Sequence, residues 1–176
     1  DVTVQLDANG NASVTPQVLL ANVSDNCGVI TCTCDSLSQR DFDCDDIGVV
    51  SVVVQVTDVN GNSSTCTSDV TVEDNIAPTI TCPANIVLDN DAGQCSAVAN
   101  YNVQFDDNCI PFLTQTAGLA SGSAFPVGTT TNTFVVSDSS GNTATCSFDV
   151  TVNDTEDPTI VCPGNIVVDN DPGICG

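Results

Sequence analysis

The sequence predicts an all-β protein made of tandem immunoglobulin-like antiparallel β-sandwich domains. Three observations predict this fold: apolar and polar residues alternate in short segments, turn signals separate the segments, and blocks of sequence recur about 80 residues apart. The alternation is clearest in residues 2–6, 52–57, 133–137 and 148–152. The turn signals are Asn9-Gly10, Asn60-Gly61, Ala92-Gly93 and Ser140-Gly141. No segment has a helical period with caps. About seven short strands per repeat are typical of a small β-sandwich.

The recurrence divides the chain into units. Residues 74–95 recur as 154–175, and 58–66 recur as 138–146, both at an offset of 80; 25–27 recur as 107–109 at an offset of 82. We therefore expect domains at 1–74 and 75–154, with 155–176 as the start of a third. Because this third unit stops inside its first predicted hairpin, we interpret the sequence as a window on a longer tandem array.

The charge excludes two classes of function. The chain has 23 acidic side chains and one basic one, Arg40, which gives a net charge of −22. A nucleic-acid binder needs many cationic side chains, so this class is excluded. There is no His and no Lys to act as a catalytic base, and the acid pairs lie in polar loops, so we expect no enzyme. No apolar run has the roughly 20 residues that a membrane span needs.

The acids favour calcium. Of the 23, 21 are Asp, the shorter acid, which favours turns and is a common loop ligand of hard cations. A compact body of this charge repels itself, and bound divalent cations would relieve the repulsion. The alternative is that Asp merely caps the turns of a β protein.

The cysteines indicate an oxidising compartment. Eleven Cys without any His are not typical of zinc sites, and their matching places in the repeats predict disulfides. We therefore expect an extracellular or cell-surface protein.

The second unit resembles the hyalin repeat (HYR) module. The matching motifs are Cys82-Pro83-Ala84-Asn85-Ile86, Asp107-Asn108-Cys109, residues 122–131 and residues 138–148. The resemblance implies an immunoglobulin-like extracellular module, usually in tandem, used in adhesion and without catalytic activity.

The first unit departs from this pattern. Residues 3–12 and 56–62 are similar to repeats of giant surface adhesins of gliding Bacteroidetes-type bacteria. This resemblance implies a bacterial cell-surface protein.

The junction between the first two units resembles the cadherin linker, which has the form Asp-x-Asn-Asp-Asn-Ala-Pro. Here it reads Val72-Glu73-Asp74-Asn75-Ile76-Ala77-Pro78, and residues 152–158 are a weaker copy. With nearby loops, these junctions are candidate Ca²⁺ sites. The candidate ligands are Asp58, Asn60, Glu73, Asp74, Asn75, Asp106, Asp107, Asp138, Asn153, Asp154 and Asp157. The hairpins 89–91 and 169–171 are further candidates.

The repeated placement of the cysteines predicts a pairing scheme. It joins Cys82 to Cys95, Cys162 to Cys175, Cys109 to Cys146, Cys27 to Cys66, and Cys44 to Cys34 or Cys32. A rival scheme joins Cys27 to Cys44, and Cys66 to Cys32 or Cys34, because spacing does not fix connectivity. The odd count leaves one cysteine free or paired outside this chain.

These observations predict a structural, adhesive segment of an extracellular stalk or filament, stiffened by disulfides and inter-domain calcium. Its expected partners are neighbouring repeats, with identical chains in a filament and surface glycans as further candidates. The alternative is a calcium-dependent carbohydrate-binding module. Sugar-binding surfaces usually expose aromatic rings, whereas Phe125, Phe134 and Phe148 lie at sequence positions that predict burial. This argues against the carbohydrate-binding alternative.

Overall fold

A computed structural model describes residues 2–166 and 172–173. Its strands form two groups of sheets, which we call the first and second sandwich. The first sandwich has strands β1 (Val2–Gln5), β2 (Ala12–Val14), β3 (Val29–Cys34), β4 (Arg40–Phe42), β5 (Gly48–Asp58) and β6 (Ser63–Glu73). The second has β7 (Thr79–Thr81), β8 (Ile86–Asp89), β9 (Ser96–Val98), β10 (Gln104–Asp106), β11 (Phe112–Ala117), β12 (Ala124–Pro126), β13 (Gly128–Ser137) and β14 (Thr143–Asn153).

Both sandwiches share one plan. The four-stranded sheets have the orders β1-β6-β5-β3 and β11-β13-β14-β8, and the remaining strands form the pairs β2-β4, β10-β7 and β12-β9. The fold is therefore all-β and immunoglobulin-like, as predicted. It is not wholly antiparallel, since β1 lies parallel to β6 and β8 parallel to β14.

The turns, and the one α-helix among residues 2–166, follow local rules. In the equivalent turns β5–β6 and β13–β14, Gly61 and Gly141 have φ of 88° and 92°, which a side chain would disfavour. A four-residue helix, α1 (Pro16–Leu19), was not predicted, because one turn is too short to show a period. Pro16 suits it, since a helix does not use its first N–H groups.

Each sandwich has its own apolar core. The first core is mostly aliphatic, with Val52, Val54, Val70 and Val72 buried on one face of β5 and β6 and Phe42 as its aromatic residue. The second core is built on buried aromatic residues, Phe125, Phe134 and Phe148. The prediction that these three rings are buried is confirmed. Tyr101 packs edge-on against Phe148, with ring centroids 4.8 Å apart.

The predicted local disulfides are wrong. Cys82 is bonded to Cys146, rather than to Cys95, and Cys109 is bonded to Cys44, rather than to Cys146. The Cys82–Cys95 bond was predicted from a hairpin that turns at residues 89–91, in which β8 and β9 would pair. Instead β8 pairs with β14 and β9 with β12, so the two strands belong to different sheets and Cys95 is carried away from Cys82.

The predicted pairs among Cys27, Cys32, Cys34, Cys44 and Cys66 are also not formed. Cys27, Cys32, Cys34, Cys66, Cys95 and Cys162 are free thiols among the described residues. Cys34 is fully buried. Its burial raises the pKa of its thiol, and the negative charge of Asp35 raises this pKa further. The neutral thiol therefore packs as a small apolar side chain of the core. Cys175 and the hairpin 169–171 lie outside the described residues.

The Cys44–Cys109 bond joins the two sandwiches and defines the joint between them. Cys44 lies in a 3₁₀ turn of the first sandwich (Cys44–Asp46), and Cys109 follows β10 in the second. Cys109 is 7% exposed and packs with the first core. Because Gly10 has φ of 74° and no side chain, its turn approaches the Asn108 carbonyl on the other side of the joint.

We predict that the Cys82→Ser/Cys146→Ser variant loses stability in the second sandwich. Its bond spans 64 residues of sequence, and opening such a loop costs about 4 kcal/mol in the chain-entropy model. Urea unfolding followed by the fluorescence of Tyr101, the only Tyr in a chain without Trp, reports on this sandwich. The exposed thiol variant Cys95→Ser is the control, with an expected change within about 0.5 kcal/mol. An equal loss in both variants would contradict the assignment.

We also predict that Gly10→Ala is more damaging than Gly61→Ala. Both glycines have positive φ, so both variants carry a similar backbone strain of about 1–2 kcal/mol. Only at Gly10 would the added methyl meet other atoms, Asn108 O and Cys44 Sγ, both at 2.7 Å. We expect a further loss of about 1–3 kcal/mol from overpacking, measured by urea unfolding. If the two variants lose the same stability, the close approach at the joint is wrong.

Candidate metal site at the joint

Three carboxylates from separate segments meet at the joint. Asp74 follows β6, Asp107 follows β10 and Asp138 follows β13. One carboxylate oxygen from each lies within 4.8 Å of the other two. Because β6 ends where the second sandwich begins, its last strand residue delivers Asp74 to the two loops of the next sandwich.

Asp74 is held from both sides of the joint. Its side chain is 3% exposed, and its Oδ1 accepts hydrogen bonds from the Ile76 N–H and from Asn108 Nδ2, both at 3.1 Å. Its backbone carbonyl accepts from Asn142 Nδ2 at 3.0 Å. The carboxylate is thus fixed in position, while its Oδ2 is buried without a hydrogen-bond donor.

Of the three carboxylates in the cluster, that of Asp107 has the fewest hydrogen bonds to offset its negative charge. Both of its carboxylate oxygens are buried without a donor. Burial raises the pKa of Asp107, and the charges of Asp74 and Asp138 raise it further. The nearby backbone N–H groups of Asn108 and Cys109 lower the pKa in part, although neither has the geometry of a full hydrogen bond to the carboxylate. The site therefore disfavours a third negative charge as long as no cation is present.

Two asparagines complete the site. Asn142 supplies both its backbone N–H and its Nδ2 to Asp138, at 2.8 Å each. Asn108 Nδ2 also donates to the Asp7 carbonyl of the first sandwich at 3.2 Å, and its own Oδ1 is buried without a donor. Asn108 was not among the predicted ligands, although its recurrence as Asn26 in the Asp-Asn-Cys motif could have drawn attention to it.

The oxygen set fits a hard cation. Asp74 Oδ2, both Asp107 oxygens and Asn108 Oδ1 are buried, and each lacks a donor. The chain's one cationic side chain, Arg40, pairs instead with Asp35 at 3.6 Å and Asp46 at 3.3 Å. Isolated buried carboxylates are unfavourable by several kcal/mol, and Ca²⁺ takes six to eight oxygen ligands. These residues therefore suit Ca²⁺ by number and by chemistry.

The other residues predicted at the first junction do not join this cluster. Glu73 Oε2 accepts from Gln5 Nε2 at 2.7 Å, and Asn75 Nδ2 donates to Gln5 Oε1 at 2.7 Å, so both turn to the strand edge. Asp106 ends β10 and is exposed.

Asp58 and Asn60 lie at the opposite end of β6. An eleven-residue strand separates them from the joint by about 36 Å. Asp58 accepts from the Nδ2 and N–H of Asn62 and from the N–H of Asn60, and these bonds, led by the Asn62 side chain, lower its pKa. Asp58 therefore acts here as the acceptor that closes a turn.

The residues of the second predicted junction are exposed. Asp154 Oδ1 accepts from the Glu156 N–H at 3.2 Å, a copy of the bond between Asp74 and Ile76. Asn153 and Asp157 are exposed beside it. In the hairpin 89–91, Asn90 Oδ1 accepts from the Thr155 N–H at 2.9 Å.

Comparison with known proteins identifies the second sandwich. Residues 73–152 match the family model of the HYR domain. The chain is 37% identical over 145 residues to hyalin of Strongylocentrotus purpuratus, and 30% identical over 172 residues to hyalin of Lytechinus variegatus. These matches cover 74% and 94% of the chain, and the chain spans only 12% and 31% of the two relatives.

A solved structure of extracellular domains 1–4 of the protocadherin PcdhgB3 is also similar, at 13% identity and a TM-score of 0.39, over 88% of this chain and 48% of that one. Among the described residues, no helix has the length and apolar character that would carry it across a bilayer. The predicted extracellular location is confirmed. Residues 73–152 thus match the HYR domain, and the chain is similar in sequence to sea-urchin hyalin.

Proposed function

We propose that this chain is a segment of an extracellular adhesive stalk or filament in which calcium stiffens the joint between successive sandwiches. The observation that carries the proposal is the set of four buried oxygens at the joint that lack donors, contributed by Asp74, Asp107 and Asn108. Asp138 adds a third carboxylate. A divalent cation bound there would neutralise charge that the chain itself leaves uncompensated.

The residues that would hold the cation belong to three segments. Asp74 leaves the first sandwich, whereas Asp107 and Asp138 occupy two loops at the facing end of the second. A cation shared by all three would oppose bending at the joint, because any tilt would pull one carboxylate away from the others.

Calcium would act alongside a covalent link. The Cys44–Cys109 bond and the hydrogen bonds of Asn108 and Asn142 cross the same joint. A pulling force along the chain would pass through strand β6, this joint and then the second sandwich. Such a unit transmits tension without needing a catalytic group, and we infer a mechanical rather than an enzymatic role.

Several finer points remain predictions. They are the domain bounds 1–74, 75–154 and 155–176, the extension into a longer array, and the resemblance of the first unit to adhesins of gliding bacteria. Neighbouring repeats are the proposed partners within the stalk. The alternative of a carbohydrate-binding module rests on calcium loops and on two exposed rings, Phe105 and Phe112, since Phe125, Phe134 and Phe148 are buried.

We predict that the full chain binds Ca²⁺ and that Asp107→Asn weakens binding by about tenfold or more, equivalent to about 1.4 kcal/mol. The variant replaces an anionic ligand with a neutral one of the same shape. Isothermal titration calorimetry measures the affinity after treatment with EGTA. Asp106→Asn is the matched control, since this neighbouring acid is exposed and should leave the affinity unchanged. No binding up to about 10 mM, beyond the range of extracellular modules, would contradict the proposal.

We predict that stiffness depends on calcium most clearly when the covalent link is absent. In Cys44→Ser/Cys109→Ser, only hydrogen bonds and the cation would hold the joint. Small-angle scattering of this variant should show a broader distribution of dimensions in EGTA than in Ca²⁺. The unmodified chain should respond less, because its disulfide persists. Identical scattering of the variant with and without calcium would overturn the stiffening role.

A further inference from the structure

The candidate calcium site and the covalent link share one short loop, which consists of the consecutive residues Asp107, Asn108 and Cys109. Asp107 and Asn108 contribute three of the four buried oxygens that lack donors at the joint. Cys109 is bonded to Cys44 of the first sandwich. The Cα atoms of Asp107 and Cys109 are two residues apart, at most about 7 Å. The disulfide therefore restricts where the Asp107 carboxylate lies.

The first sandwich holds this loop at three points. Cys44 Sγ is bonded to Cys109 and lies 3.5 Å from the carbonyl oxygen of Asn108. Asn108 Nδ2 donates to the Asp7 carbonyl at 3.2 Å and to Asp74 Oδ1 at 3.1 Å. Asp74 itself follows the last strand of the first sandwich. The geometry of the calcium site thus depends on the docking of the two sandwiches.

The charge of the site opposes this docking. Asp74, Asp107 and Asp138 bring carboxylate oxygens within 4.8 Å of one another, and like charges at such distances repel. A bound cation would offset the repulsion, and the disulfide keeps the sandwiches together in spite of it. Both favour the docked arrangement over one in which the sandwiches separate. Two interactions that favour the same state of a molecule strengthen each other, and this coupling is reciprocal.

The disulfide at the joint borders a cavity that a small reagent can enter. The cavity has a volume of about 420 Å³, and it is lined by Cys44, Asp45, Ile47, Cys109, Ile110 and Ser139. This volume lies in the range of small-molecule pockets, roughly 300–1,000 Å³, so a small thiol has room beside the bond. Ser139 directly follows Asp138, so the cavity also borders a second loop of the calcium site.

We propose that the redox state of the Cys44–Cys109 pair regulates calcium binding at the joint, with the disulfide form binding Ca²⁺ more tightly than the dithiol form. This inference rests on the calcium role proposed above. In the dithiol form only hydrogen bonds hold the loop 107–109 against the first sandwich, so Asp107 loses its fixed place beside Asp74. Repulsion between the carboxylates then favours separation until a higher calcium concentration offsets it.

Conversion between the two forms is a thiol–disulfide exchange with a small-molecule dithiol. One thiolate of the reagent attacks a sulfur of the Cys44–Cys109 bond and forms a mixed disulfide, and the other cysteine leaves as a thiolate that takes up a proton. The second thiolate of the reagent then attacks the reagent's own sulfur in the mixed disulfide and releases the second cysteine. One dithiol is oxidised to a cyclic disulfide, and one protein disulfide is reduced to two thiols.

Reciprocity makes calcium a protector of the bond. We expect the disulfide form to bind Ca²⁺ about tenfold more tightly than the dithiol form, a factor within the usual range for coupled sites. Saturating calcium should then shift the thiol–disulfide equilibrium of Cys44–Cys109 towards the disulfide by the same factor. For this two-electron couple, a tenfold shift is about 30 mV.

The first test is isothermal titration calorimetry with Ca²⁺ on the full chain and on Cys44→Ser/Cys109→Ser. We expect the variant to bind about tenfold more weakly with unchanged stoichiometry, because it keeps every proposed ligand. Cys27→Ser/Cys95→Ser is the matched control, since it replaces two exposed free thiols and keeps both disulfides. This control should keep the affinity of the unmodified chain.

The second test uses the unmodified chain and so does not depend on the folding of a cysteine variant. The chain is equilibrated in mixtures of reduced and oxidised dithiothreitol with either Ca²⁺ or EGTA, and thiols are trapped by alkylation. Mass spectrometry then gives the reduced fraction of Cys44 and Cys109. Calcium should shift the midpoint of this pair about tenfold, whereas Asp107→Asn should lose most of the shift and Asp106→Asn should keep it.

The outcomes separate this coupling from the calcium site itself. Equal affinities in the first test, or a Cys44–Cys109 midpoint that does not move with calcium, overturn the coupling and leave the calcium site in place. The absence of calcium binding to both the full chain and the variant overturns the site, and the coupling with it. An equal calcium-dependent shift of the Cys82–Cys146 midpoint also overturns the coupling, because calcium would then act on the whole second sandwich.

Discussion

The crowding of three carboxylates at the joint constrains the rest of this structure. Asp74, Asp107 and Asp138 each come from a separate segment, and their oxygens lie within 4.8 Å of one another. The chain has one cationic side chain, and Arg40 is committed to Asp35 and Asp46. Like charges held this close repel each other strongly, so the sandwiches can stay in contact only if other interactions offset that repulsion.

The joint supplies such interactions in three forms. Asn108 and Asn142 place amide donors on the carboxylates and carbonyls of the joint. Gly10 allows the turn of the first sandwich to approach the Asn108 backbone closely. The Cys44–Cys109 bond then makes the contact covalent. A cation would bind the buried oxygens that lack donors. The candidate cation site and the packing of the joint therefore both arise from the same group of carboxylates.

The covalent link is specific to this pair of sandwiches. In the second sandwich β12 (Ala124–Pro126) takes the place of β4, and no cysteine lies between Pro126 and the start of β13 at Gly128. The second sandwich therefore has no thiol at that position to offer a following unit. A joint beyond Asn153 would depend on hydrogen bonds such as those of Asn90 and Glu156, and on any cation bound at Asp154.

The periodicity of the sequence was sufficient to predict the fold, because alternation and glycine turns act locally. It predicted β1, β5, β13 and β14 and the turns at Gly61 and Gly141. The disulfide pairs could not be predicted this way. Cys82 meets Cys146 only because β8 leaves β7 and runs parallel to β14, which is a non-local choice.

For the candidate metal ligands, too, the sequence predicted the local features but not those that depend on contacts between distant residues. Composition predicted that Asp residues gather at junctions, and Asp74, Asp107 and Asp138 do converge. Sequence spacing could not separate them from Glu73 or Asn75, which turn to Gln5 because β1 pairs with β6. The buried state of Asn108 depends on the contact with Asp7, 101 residues away, and leaves no local pattern.

A crystal structure of the full chain grown with Ca²⁺, with anomalous scattering used to locate the metal, tests the central claim most directly. The account predicts one ion at the joint with oxygens of Asp74, Asp107 and Asp138 at about 2.3–2.6 Å. Carboxylates that point apart, or that are joined only by water in crystals saturated with calcium, would contradict it.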